Sequence, residues 1–454
     1  MSTRAKALGA IAATIGLLLG GTACGDSTSG SATALEMWTF KQTHVKPLQD
    51  AAAEFKKQTG ITVNITAYTP DDTYKSKIQT SAQTRNLPDV LEVHAAGEDF
   101  VLGGSGILAD LAPNVDAAWK AGFVKGTADA ALVTDARYQR SLQPKSAEAG
   151  IKTGQYFSVP FTIGTFGVVY ANKKKLADAG LDPAKPPKTW TDFVAWLKAV
   201  HDKDPADGGL TVGMKSPTTG FNWGLEPLSF AYLGAQGYRD LFGKDPAKSF
   251  GSPAGLAVLE LYDQLTPYWK PGTQTLGIDD ADRAFAQGKA GFDLGGTFTL
   301  ASLRQNGMNP ADVVTFGIPA ASGGATSDLK LAPIALTGLA VSAQAKNPEA
   351  ALKWLQFLST PERAGAFAQA SLDLPGTELG ADAERLLGPE LAAVRNVFGD
   401  ATAGAYDPTD TTVFSPAYDD KSPGETLIRM SPLHELTPEQ ENQALGGIVA
   451  TSWK

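Results

Sequence analysis

Adjacent acid pairs, four histidines, eight tryptophans and a single cysteine are the side chains of this chain that could do chemistry. Such acid pairs occur at Asp71/Asp72, Glu98/Asp99 and Asp279/Asp280. A glycosidase needs two carboxylates about 5 to 9 Å apart. Adjacent acids more often open helices or face solvent, so the chain reads as a non-enzyme. His44, His94, His201 and His434 stand far apart, with no H-E-x-x-H or other metal spacing. Asp202, Asp204 and Asp207 precede Gly208, but Gly213 occupies the place where a calcium loop carries its bidentate Glu. The sequence holds no G-x-x-x-x-G-K-S/T, G-x-G-x-x-G or G-x-S-x-G. No metal and no cofactor is implied.

The one cysteine, Cys24, closes a leader. Arg4 and Lys6 precede Ala7–Gly21, which is uncharged and contains Leu17, Leu18 and Leu19. A basic start, a short apolar run and small residues before a cut make a secretory signal peptide. The run is too short to span hydrocarbon, which takes about 20 residues. With Cys24 behind Gly21, Thr22 and Ala23, the segment resembles the lipobox of bacterial lipoproteins, although Gly21 stands where that motif usually has Leu. The resemblance implies removal of residues 1–23, acylation of Cys24, and a protein held on the extracellular face of the cell membrane by its lipid. Residues 24–34 then form a small, polar, flexible tether. No thiol remains for a disulfide, an iron–sulfur cluster or a thiolate zinc site. The net charge of −9 becomes about −11 once Arg4 and Lys6 are removed. That balance leaves no basic footprint for nucleic acid and no attraction to anionic lipid.

The elements that must position any site alternate. Ala34–Phe40 reads as a strand, Pro47–Gln58 as a helix, Ile61–Ile65 as a strand, Tyr74–Thr84 as a helix and Asp89–His94 as a buried strand. This order predicts βαβ units and mostly parallel sheets. Gly97, Gly103, Gly104 and Gly106 suggest a loop, 112–150 looks irregular, and Tyr156–Tyr170 is β-like. Thr189 caps a helix whose Trp190, Phe193, Leu197 and Val200 share one face. Turns dominate 201–225. Strands are expected at Ala290–Leu294, Val313–Ile318 and Leu339–Val341, with a strong helix at Pro348–Leu358. Trp190 and Trp354 read as core; Trp196 and Trp269 stay undecided.

Six stretches in order carry a family likeness: Glu54–Val63 (EFKKQTGITV), Leu87–Val90 (LPDV), Tyr156–Pro160 with Val169–Lys173, Ala179–Leu181 with Pro187–Trp190, Phe285–Gly291 (FAQGKAG), and Lys346–Ala351 through Glu362. Together they resemble the extracellular solute-binding proteins of bacterial ABC importers, in the sugar-binding group of maltose-binding protein. The likeness covers roughly 35–365. Ala171 interrupts a usual Tyr-Asn pair, and Thr297 follows Gly295 and Gly296 where relatives often have Trp.

The resemblance implies a two-lobed α/β fold of the periplasmic-binding-protein type, each lobe a mostly parallel sheet flanked by helices, joined by a hinge. The N-terminal lobe is expected to hold 35–163 and 320–362, and the C-terminal lobe 164–319 and 363–454. Crossings fall near Phe161–Gly167, Gly317–Gly324 and 360–375. A ligand would bind between the lobes, where pockets gather. Sugars take aromatic faces and hydroxyl partners, so the implied ligand residues are Trp38, Lys41, His94, Glu98, Phe161, Trp223, Gly296, Thr297 and Phe298. The implied partners are a small carbohydrate and the permease subunits of an importer, with the protein itself a monomer. Alternatives are the same scaffold with a polyol phosphate, a polyamine or a peptide, or a glycan-active surface enzyme.

Overall fold

The computed structural model describes residues 34–400, 403–415 and 417–454. The leader, Cys24 and the tether up to residue 33 lie outside the described residues. Among the described residues, ten strands form two sheets. The first has six strands: β1 (Ala34–Thr39), β2 (Thr62–Ala67), β3 (Val90–His94), β4 (Val159–Gly164), β9 (Ile334–Val341) and β10 (Leu374–Pro375), in the order β10-β4-β9-β3-β1-β2. The second has four: β5 (Phe166–Asn172), β6 (Leu210–Thr211), β7 (Phe292–Gly296) and β8 (Val313–Gly317), in the order β6-β7-β5-β8. Helices pack around both sheets, giving the two-lobed α/β architecture. Among the described residues no helix is long and apolar enough to cross a membrane.

The sheets are mixed rather than mostly parallel. Only β1–β2, β1–β3 and β6–β7 run parallel. The crossings explain this. β9 arrives from the other lobe at the end where β3 and β4 finish, and β10 follows helix Pro361–Ser371 into that same end of β4, so both run against their neighbours. β5 likewise enters the second sheet from the crossing end and opposes β7 and β8.

Around the boundary expected at 362/363 the chain touches both lobes. Helix Pro361–Ser371 places Phe367 against Phe161, ring centroids 4.5 Å apart, and β10 then pairs with β4. Ala364, Ala368, Leu372 and Leu374 already pack in the second lobe's core, which goes on to take Leu387, Leu391 and Val394 of helix Ala383–Arg395.

Local signals explain the best-predicted elements. Thr189 accepts a bond from the Asp192 backbone N–H at 3.2 Å, and the helix it caps buries Trp190, Phe193, Trp196, Leu197 and Val200. Trp354 is buried in the first lobe against Phe55, and Trp269 donates from Nε1 to Ser431 at 2.8 Å within the second. The expected glycine loop is instead largely helix Glu98–Gly104. Gly103 and Gly104 are there for close packing, since a Cβ would strike the Phe157 ring or the Ala149 carbonyl. The expected turn region ends in a π-helical turn, Phe221–Leu225, continuous with helix Glu226–Leu241.

Candidate binding cleft

The first crossing is built for close approach. A Cβ on Gly164 would overlap Thr297 Oγ1 and Leu336 Cδ1, so only glycine lets β4 pass between them. Thr165, one residue on, clasps Thr297 twice: its N–H donates to Thr297 Oγ1 at 3.3 Å, and its carbonyl accepts from the Thr297 N–H at 3.1 Å. Gly167 follows with φ 85°, at a register shift between Phe166 and Val168. Such a bulge re-aims the neighbouring side chain, here Phe166.

Phe166 meets two rings from distant parts of the chain. Trp223, on the π-helical turn, lies parallel to it at 5.0 Å between centroids and 2° between planes. Phe298, just past β7, stands edge-on to Phe166 at 6.3 Å and to Trp223 at 6.1 Å. Phe166 and Phe298 remain partly exposed, whereas Trp223 is buried at its back. Aromatic faces in this arrangement offer an apolar platform with a defined geometry.

The first lobe contributes the ends of β1 and β3. His94 stacks on Phe40 at 4.3 Å, and its Nδ1 shares a 2.9 Å hydrogen bond with Glu98 Oε2. The same carboxylate oxygen accepts from the His94 backbone N–H at 3.1 Å. Burial pushes the Glu98 carboxyl up, but the hydrogen bond and charge of His94 outweigh it and hold the group below its usual value. Glu98 therefore fixes the orientation of His94.

Beneath this loop lies a buried ionic cluster. His44 is fully buried and bridges two carboxylates, with Nδ1 3.0 Å from Glu92 and Nε2 2.7 Å from Asp373. Lys41 Nζ donates to Asp373 at 2.9 Å and Thr39 Oγ1 to Glu92 at 2.6 Å. Burial lowers the imidazole's affinity for its proton, but Glu92's charge and the bonds to both acids reverse this and raise the His44 pKa. Burial likewise opposes ionisation of Asp373, and the charge of Lys41 with the His44 bond overcomes it, holding Asp373 well below the usual carboxylate range. Lys41 and His44 thus face two carboxylates.

Between the first sheet's end and the segment after Pro375 lies a cavity of about 620 Å³. Its walls include Ala96 after β3, Ile163 and Ile334 beside the first crossing, Ala130, and Phe398 and Thr409 from the far side. Among the described residues no three His, Cys, Asp or Glu side chains gather as metal ligands.

The residues singled out from sequence therefore separate. Trp223, Gly296, Thr297 and Phe298 come together at the second sheet's crossing end, but Thr297 is fully buried and serves the clasp. Gly296 lies under the Phe298 ring, where a Cβ would not fit. His94 stays half-open at the first lobe's edge. Trp38, as buried as Trp223, clusters with Ile78 and Leu91, its ring flanked by Tyr68 at 5.0 Å and Lys77 Nζ at 5.3 Å. Phe161 is buried against Phe367 and His44. Lys41 is committed to Asp373. Sequence reasoning missed Phe166, Phe40 and Ala96. A bulge signal at Gly167 was the available cue for Phe166.

The family described as bacterial extracellular solute-binding protein matches residues 50–384. The chain is 27% identical over 324 residues to the sn-glycerol-3-phosphate-binding periplasmic protein UgpB of Escherichia coli strain K12, covering 67% of this chain and 64% of that one. It therefore spans less than two thirds of that curated relative's length. Its fold is similar to a protein from work on xylan utilization by Caldanaerobius polysaccharolyticus, with TM-score 0.67, 18% identity, and 91% of this chain and 99% of that one covered. It is also similar to maltose-bound MalE3 of T. maritima, with TM-score 0.66, 18% identity, and 92% and 100% covered. At such identities the structures establish the fold.

Proposed function

The chain belongs to the bacterial extracellular solute-binding proteins, and from that premise we propose that it captures a carbohydrate between its lobes and delivers it to the permease of an ABC importer. The observation that carries the carbohydrate reading is the Phe166–Trp223–Phe298 platform at the crossing end of the second sheet. Sugar rings present C–H faces to aromatic surfaces and hydroxyls to the polar side chains around them. In this reading His94, held by Glu98, is a hydroxyl partner from the opposite lobe. The Thr165–Thr297 clasp serves as a pivot, and closure about it buries the solute. The maltose-bound relative supports the same ligand class.

In the same proposal the role is binding without turnover, the protein acts as a monomer, and acylated Cys24 keeps it beside its importer. The likeness to a glycerol-3-phosphate-binding protein favours a second reading, a phosphorylated polyol. A thermal-shift panel of sugars, polyamines and phosphorylated polyols decides between them. A ligand at a hundredfold its Kd stabilises by about 2.7 kcal/mol. Shifts produced only by non-sugars would overturn the carbohydrate reading while leaving the transport role.

A further inference from the structure

We propose that Glu226 is a positioning residue for the aromatic platform: through Tyr406 it fastens the turn that carries Trp223 to the second crossing, and this clasp is firm in acid and weakens as the pH rises to neutral. The proposal rests on the platform reading above only in what it implies for a bound solute.

Glu226 lies three residues after Trp223, where the π-helical turn Phe221–Leu225 runs into helix Glu226–Leu241. The turn abuts the first crossing, since a Cβ on Gly167 would come 3.0 Å from the Trp223 carbonyl oxygen. The Glu226 side chain is buried, and its Oε2 accepts from the Tyr406 hydroxyl at 2.7 Å across 180 residues of chain.

Tyr406 is in turn fixed by its backbone to the second crossing, the chain between β8 and β9. Its N–H donates to the Lys330 carbonyl at 2.8 Å, and its carbonyl accepts from the Ala332 N–H at 2.7 Å. Its ring packs on Phe230 and Tyr238 of the helix that Glu226 opens, with centroids 5.4 and 5.6 Å away. That helix breaks at Gly234, where φ is 72° and ψ is 173°, and the last carbonyls before a break lack partners within the helix. Those of Ala231 and Tyr232 accept from the Thr326 and Ala325 N–H groups at 3.1 and 2.9 Å. The helix is thus tied to the second crossing near its break by backbone bonds. At its first turn, beside Trp223, the tie is the Glu226–Tyr406 bond.

Among the described residues the groups that bear on Glu226 include no cation. They are Tyr238 on its own helix and Tyr406, Tyr418 and Asp420 of the C-terminal segment, and Asp420 adds like charge. The basic groups of the packed elements are engaged elsewhere, Arg239 with Asp410 and Lys330 with Asp328. Asp407 accepts from Thr409, and Asp419 from the Lys421 N–H. Helix Pro253–Asp263, packed alongside, adds Tyr262, which donates to the Gly220 carbonyl at 3.3 Å, and Asp263, which accepts from Thr266. Its Glu260 is exposed. In these surroundings burial raises Glu226 to about 7, against the pull of the Tyr406 bond. Released into water, the same carboxyl ionises near about 4.3. Opening of the clasp is therefore hardest below about pH 4.3 and becomes easier as pH rises to about 7, roughly tenfold per pKa unit. A solute stacked on Trp223 meets a firm turn in acid and a looser one in alkali.

The test is hydrogen exchange of the purified full chain, read by mass spectrometry from about pH 5 to about pH 8, each rate divided by the intrinsic rate at that pH. Peptides covering 219–226, 328–335 and 403–410 should lose protection together, at least tenfold across this range. Glu226→Gln, a neutral isostere, should hold the loss below threefold in all three. A wild type whose protection does not change with pH, or a variant that follows the wild type, overturns the proposal.

Tyr406→Phe keeps the ring and removes the bond. At about pH 5 it should lower protection in 219–226 and 328–335 at least threefold, although Tyr406 lies in neither peptide. Loss confined to 403–410 overturns the coupling. Neither arm uses a solute, so failure here leaves the carbohydrate reading standing, and failure of that reading leaves the clasp.

Discussion

His44 Nε2 lies 2.7 Å from Asp373 Oδ2, although 329 residues separate the two in the chain. The contact joins the helix that follows β1 to the segment that leads into β10. It therefore ties the start of helix Gln42–Thr59 to a strand that borders the crossings.

Replacing Asp373 with Asn should expose what this contact contributes. Removing one partner of a buried ion pair destabilises by about 3 to 5 kcal/mol. The His44 pKa is raised, so its share is complete below about 6.5 and is lost as pH rises through the folded value. Asp373 and Glu92 are lowered, so their share is complete above about 4.3 and is lost as pH falls. The difference in urea midpoint between wild type and Asp373→Asn should therefore be greatest between about pH 4.3 and 6.5. A difference that does not vary with pH would sink the ionic account.

Glu226 gives the opposite dependence. Burial raises its pKa to about 7, with the Tyr406 hydrogen bond, at 2.7 Å, pulling the other way. A carboxyl raised in the fold favours folding in its protonated form, so that share is lost as pH rises from about 4.3 to about 7. Glu226→Gln keeps a neutral side chain throughout. Relative to wild type, the variant should gain up to about 3 kcal/mol between pH 4 and pH 8, at 1.36 kcal/mol per pKa unit. Parallel stability curves would show that Glu226 is ionised in the fold.

Gly164→Ala should disturb the crossing directly. The added methyl overlaps Thr297 and Leu336, and overpacking of this kind costs about 1 to 3 kcal/mol. The expected signature is a lower melting temperature with a changed radius of gyration in solution scattering, partly restored by Leu336→Ala. An unaltered melt and scattering profile would mean that the crossing relaxes freely.

Phe298→Ala tests the aromatic platform with little damage to the core, because the ring is only partly buried. Sugar affinity should fall about tenfold, equivalent to 1.4 kcal/mol, while the melting temperature of the free protein moves by no more than a few degrees. Unchanged affinity would remove the platform from the binding site.

Cys24→Ala tests the anchor. The variant should appear in the soluble fraction of cells that retain the wild-type protein on their membranes. Full retention of the variant would point to an uncleaved leader instead.

Parts of this site were legible before folding because their signals are local. Trp223 and Phe298 each sit beside glycines at the end of an element, which is where a cleft residue is expected. Trp38 shows the limit of that reasoning. It shares a sheet face with Phe40, two residues on, and the alternation of a strand treats them alike. Trp38 clusters with Ile78 of helix Asp71–Gln83, whereas Phe40, 5.7 Å from Tyr74 of the same helix, extends past the strand to stack on His94.

Periodicity and caps alone determined the alternation of strands and helices, the Thr189 cap and the burial of Trp190 and Trp354, because each depends on residues within a few turns of one another. Strand direction was decided only in three dimensions, since β9 enters its sheet from the far lobe. The same holds for the His44–Glu92–Asp373 cluster and for the meeting of Phe166, Trp223 and Phe298. Their partners lie tens to hundreds of residues apart, and only closure of the chain across its crossings brings them within bonding distance.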